Sequence, residues 1–304
     1  MKIPQIAAFV FVVAGLSGVN YSMAADPAFR SLAVGATPES VVPGFDGKLY
    51  VTLMGTTRQK GDGDGKVVVV EGDKVTVFTT GLDDPKGIVF VGGKLITADF
   101  DKLWAIDAKG AKTLFAGPEA FPERPRFLND IVVEPGAKTI LVTDMGDLAA
   151  MSDATGAFWP LDSEQARKLV PLGRVYRVTL DGKITVAIDH HAENPNPNGV
   201  DALDDGTILT AEFFRGRLLA WKNGTWRKIS EDHRSADGIV HDKAGNYYVT
   251  EVRTGRVWHV KATGEKRLLA TLESAADLYL DEARNQLIVP DSKAGKLVFI
   301  PLTK

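Results

Sequence analysis

A six-fold internal repeat constrains this sequence more than any other feature. Each block opens with a small or polar residue and an apolar run, then turns at a pair such as Asp-Gly. A second run ends in Thr-Asp or Thr-Glu, a Gly-Arg or Gly-Lys turn leads into a third, and a fourth closes the block. The runs are rich in Val, Ile, Thr and Tyr and are bounded by Gly, Asp and Asn, the signature of short strands joined by tight turns. Copies start at Glu39, Lys86, Asn129, Asn198, Asp237 and Asp277, and the last lacks its fourth strand. Repetition at this scale decides the architecture. We expect an all-β fold, a six-bladed β-propeller. The strand missing from the last blade is supplied by Phe29 to Val34, so the ring closes and no open edge remains. A β-sandwich or an open solenoid explains neither four strands per block nor a shortfall at one end.

The chain has 304 residues, enough for a large core, and all-β folds of this size are often one domain. A net charge of -3 favours neither nucleic acid nor an anionic membrane as partner. Lys2, the apolar run Ile6 to Gly18 and the small residues of Ser22-Met23-Ala24 read as a signal peptide over residues 1–24, cleaved before Ala25. The propeller then occupies 25–304. The apolar run is too short to span a bilayer comfortably, so no membrane association is expected after cleavage. There is no cysteine, which excludes disulfides, thiolate nucleophiles and cysteine zinc sites. Export without cysteine suits a periplasmic or secreted protein. Oligomeric state is not legible.

In a propeller the innermost strand of each blade begins beside the central axis. The residues just before those strands, Glu39, Lys86, Asn129, Asn198, Asp237 and Asp277, should therefore converge although they are distant in sequence. Five of the six offer oxygen, which suits a hard cation such as calcium, with about six to eight oxygen ligands. Glu39, Asp237 and Asp277 against Lys86 leave a charge of −2, which a divalent ion would neutralise. Soft-metal sites are poor alternatives. The plain alternatives are that these residues merely start strands, or that Lys86 plugs the axis by pairing with Glu39 and Asp277.

The same segments carry a resemblance. ESVVP at Glu39, RFLND at Asn129, PNGVDAL at Asn198 and ADGIVHDKAG at Asp237 are similar, in order, to segments of the regucalcin (senescence marker protein)/gluconolactonase family of six-bladed propellers. More distantly, the chain resembles the paraoxonases and squid-type phosphofluoridase. The resemblance implies one calcium or similar divalent ion, with zinc, manganese or magnesium as alternatives, held by Glu39, Asn198 and Asp237. Asn129 would be a fourth ligand or a substrate contact. It also implies hydrolysis of lactones or related esters. Three departures stand out: Leu128 lengthens RFLND by one residue, ESVVP lacks the family's tryptophan, and Lys86 adds a cation beside the metal position.

The expected activity is therefore that of a metal-dependent lactone or ester hydrolase acting on a small molecule. The ion would polarise the carbonyl, and Asp237 would act as base or nucleophile. Lys86 and His191 are further catalytic candidates, the latter because it precedes the loop to Asn198. Arg126, Asn129 and Asp144 are candidates for holding substrate. Asp99, Asp144, Glu212, Glu251 and Asp291 end second strands, and we expect them to hold loops by backbone hydrogen bonds, with Asp144 the exception if any. Long insertions, Gly55 to Lys66 and Gly146 to Gly173, should overhang the channel mouth, with Met145, Phe158 and Trp159 as the apolar inner surface of a lid. The competing reading is a non-catalytic propeller that binds a small ligand or a protein around a structural ion or a Lys86 salt bridge.

Overall fold

The structure, a computed structural model, describes residues 29–56 and 59–302. The signal peptide expected over residues 1–24 lies outside the described residues. Six four-stranded antiparallel sheets form the blades of a propeller. The innermost strands, Pro38–Pro43, Pro85–Val91, Leu128–Val133, Pro197–Ala202, Ala236–His241 and Tyr279–Asp281, contact one another in sequence around a closed ring. The expected closure is present: Arg30–Ala33 pairs with the last strand, Lys296–Pro301, as Arg30 opposite Phe299 through Ala33 opposite Lys296.

The apolar faces of the blades pack against each other, so the core is divided among the blade boundaries. Val51, Val68 and Leu53 meet Ile288, Leu297 and Phe299 across the closing boundary, and Val34, just past the closing strand, joins them. A further apolar cluster sits over the channel rather than between blades. There Met151 and Ala166 of the third-blade insertion, with Met145 just before it, pack on Phe127, Phe213 and Phe214. Two short helices in that insertion, Leu148–Met151 and Glu164–Arg167, are capped by the Asp147 and Ser163 side chains. Arg253 of blade five donates to the Phe158 and Trp159 carbonyls, which ties the insertion down as a lid.

Four of the five carboxylates that end second strands act as expected, as hooks for backbone N–H groups; Glu251 instead accepts from the Thr254 hydroxyl and the Trp258 indole N–H. Asp99 accepts from Asp83 and Asp84, Glu212 from Phe214 and Arg215, and Asp291 from Glu273 and Ser274. Asp144 is no exception. It accepts from the backbone of Arg126, Phe127 and Gly146.

Candidate metal and substrate site at the propeller hub

Five of the six inner strands pair with their neighbour at the first residue, then slip. The slips fall between Pro38 and Val41, Pro85 and Ile88, Leu128 and Ile131, Pro197 and Val200, and Ala236 and Ile239. A bulge of this kind frees a residue from the ladder and re-aims its side chain. The first residues released are Glu39, Lys86, Asn129, Asn198 and Asp237, and all five line one cavity of about 310 Å³ on the axis. The second-strand threonines Thr52, Thr143 and Thr250 hold the bulges by accepting the N–H of Ser40, Asp130 and Gly238. These threonines were not singled out in the sequence, although the Thr-Asp and Thr-Glu strand ends were the available signal.

Asp277 does not belong to this ring. In blade six Ala275 bridges Asp291 and Tyr279 pairs with Ile288, which gives the same one-residue slip as in the other blades. Ala276 is therefore the sixth member, and it lines the cavity. Asp277 sits one residue further along, level with Ser40 and Asp130. It accepts from Ser40 Oγ at 2.5 Å and lines a separate cavity with Asp130 and Asp201.

The hub is buried and crowded with charge. Asn198 Nδ2 donates to Asp237 Oδ1 at 2.5 Å. Gly199 permits this approach, because a Cβ there would lie 2.2 Å from the Asp237 carbonyl. Burial pushes the Glu39 carboxyl well above its ordinary range. Lys86 counters this, while Asp237, Asp277 and Asp84 reinforce it. Burial, and then the Asp277 charge, raise Asp237 to about 7. Lys86 does not plug the axis. Its Nζ turns to Asp84, 3.3 Å away, and lies against Met54 Sδ and over the Phe127 ring. Asp84, next to Pro85 at the start of the second inner strand, is thus the acid that holds Lys86.

The donor set fits a hard cation. Glu39 Oε2 and Asn198 Oδ1 are buried without a hydrogen-bond partner, an expensive condition for an oxygen unless an ion or water meets it. Among the described residues no group of three His, Cys, Asp or Glu gathers in one place, so an ion at the hub would need the amide oxygens as well as the two carboxylates. Two carboxylates and two amides match calcium better than zinc.

The remaining candidates lie elsewhere. Arg126 is half-exposed and pairs with Asp147, because Asp144 captures its backbone and the side chain points outward. Asp144 is engaged with backbone and does not line the cavity. His191 is exposed and stacks on Trp226, away from the hub. Met145 and Phe158 line the cavity, while Trp159, half-buried, packs against the lid cluster and donates to the Ala150 carbonyl. Met54, just ahead of the first insertion, lines it too, as do Phe127, Phe213 and Val252.

No protein-family model matches the chain, and no curated protein is similar to it. Solved structures are. A gluconolactonase from Xanthomonas campestris aligns at a TM-score of 0.59 with 20% identity, over 91% of this chain and 99% of its own. A structural-genomics target named for the gluconolactonases aligns at 0.63 with 15% identity, over 92% and 96%. The chain has the six-bladed propeller fold of the gluconolactonases. That fold is shared more widely: virginiamycin B lyase from Staphylococcus aureus aligns at 0.58 with 13% identity, over 90% and 100%. Fold alone does not assign chemistry.

Proposed function

We propose that this protein is an exported, metal-dependent hydrolase of lactones or related esters, with its active site at the hub. The observation that carries the proposal is the pair of unpartnered oxygens, Glu39 Oε2 and Asn198 Oδ1, beside a cavity large enough for a small molecule. The likeness to gluconolactonase structures supports the same reading.

In this reading Glu39, Asn129, Asn198 and Asp237 hold a calcium or similar divalent ion. Bound there, the ion supplies positive charge that polarises an ester carbonyl and keeps the surrounding carboxylates ionised. Asp237, oriented by the Asn198 amide, takes a proton from the attacking water or attacks the carbonyl itself. Lys86 is held by Asp84 and sets the charge of the hub rather than moving a proton. The lid packs over Phe127 and Phe213 and narrows access to the cavity.

The test is a lactone and ester hydrolysis screen on purified protein, with added calcium and after chelation. The account expects turnover that chelator abolishes and calcium restores. It also expects Asp237→Asn to lose at least about 100-fold in turnover. Turnover indifferent to chelator, or unchanged in Asp237→Asn, would remove the proposal.

A further inference from the structure

The walls of the hub cavity say what kind of molecule fits it. Above the polar floor the cavity is lined by Met54, Phe127, Met145, Phe158, Phe213 and Val252. These come from blades one, three, four and five and from the lid, so apolar surface surrounds the ligand space on several sides. Phe158 of the lid packs against Phe213, with ring centroids 5.2 Å apart, which sets an aromatic edge over the opening.

Apart from Lys293, the polar groups on the same walls are already engaged. Ser274 Oγ donates to the Val252 carbonyl and Ser292 Oγ to the Pro38 carbonyl. Arg253 gives its guanidinium to the two lid carbonyls. Asn129 Nδ2 is directed at Met145 Sδ. A polyhydroxylated sugar ring placed here would exchange its hydrogen bonds to water for contacts with thioethers and phenyl rings. Each hydroxyl buried without a partner costs roughly 1–3 kcal/mol. An aryl or alkyl group gains from the same walls by burying apolar surface.

We infer that the substrate is a lactone or ester whose non-reacting part is apolar, an aromatic ring or an alkyl chain, and not a sugar lactone. This inference rests on the hydrolase reading of the hub. In the step it describes, the oxygen of water bonds to the acyl carbon and the acyl C–O bond breaks. The leaving oxygen takes a proton, so a lactone gives a hydroxy acid and an ester gives a carboxylic acid and an alcohol, and no further reactant is needed.

The experiment compares dihydrocoumarin and γ-decanolactone with glucono-δ-lactone on the calcium-loaded protein, by hydrolysis rate. In parallel, calorimetry measures binding of the matching apolar lactam and of the matching sugar lactam, which cannot be hydrolysed as readily. The inference expects kcat/KM for the apolar lactones to exceed that for the sugar lactone by at least about 100-fold, with only the apolar lactam binding. It also expects Phe158→Ser, and separately Met54→Gln, to narrow that preference by about tenfold. Faster hydrolysis of the sugar lactone would overturn the inference while upholding the hydrolase reading. Binding of the apolar lactam without hydrolysis of any lactone would uphold the apolar preference and overturn the hydrolase reading. Binding and hydrolysis of neither class would overturn both.

Discussion

Asn198 donates its amide hydrogen to Asp237 across a blade boundary, Nδ2 to Oδ1 at 2.5 Å. The bond joins the innermost strands of blades four and five, and it leaves the Asn198 carbonyl oxygen buried and unpartnered. One side chain therefore orients a carboxylate and offers a ligand at the same time.

Replacing Asn198 by Ala removes both roles. We expect its calcium dissociation constant to rise at least about tenfold, measured by isothermal titration calorimetry. Affinity equal to the wild type would show that this amide neither binds nor orients anything that binds.

Lys86 and Asp84 form an ion pair with both side chains almost wholly buried, 7% and 2% exposed. Breaking such a pair is costlier than never having it, because the surviving charge has no solvent. Lys86→Met should cost about 3 kcal/mol in urea unfolding, and adding Asp84→Asn should recover most of the loss. If Lys86→Met unfolds at the same urea concentration as the wild type, the ammonium is not held as described.

His241 and Asp201 offer a pH signature outside the hub ring. His241 Nδ1 lies 2.6 Å from Asp201 Oδ2, and the hydrogen bond to Asp201 raises the imidazole above its ordinary value despite its partial burial. Asp204 and Asp242 add to the rise. The folded state thus holds the proton more tightly than the unfolded chain. The pair's stabilisation is complete below about pH 6.5, and it fades as pH rises through the folded value. Allowing for solvent screening, His241→Asn should be about 1 kcal/mol less stable than wild type at pH 6, with the gap closing by pH 9. A gap that stays constant or grows with pH would contradict the assignment.

Much of this was legible because propeller geometry is repetitive. Glu39, Lys86, Asn129, Asn198 and Asp237 each occupy the same place before an apolar run, so one alignment finds all five. Asp277 was placed one residue wrong for a physical reason. It looks like Asp237, but only the bridge from Ala275 to Asp291 sets the register of blade six. The apolar walls were harder to read, since Met54, Phe127 and Phe213 look like any core residue until the lid and blades enclose a space around them. Arg126 misled because its side-chain direction depends on where Asp144, 18 residues away, captures its N–H.

The central claim is that the hub grips one divalent ion, and thermal unfolding with calcium or with chelator tests it most directly. An ion that binds only the folded state adds about 2.7 kcal/mol at a hundred times its dissociation constant. The account predicts that calcium raises the wild-type melting temperature by several degrees over the chelated protein, and that Glu39→Gln loses that rise. A melting temperature unaffected by calcium or chelator would contradict it.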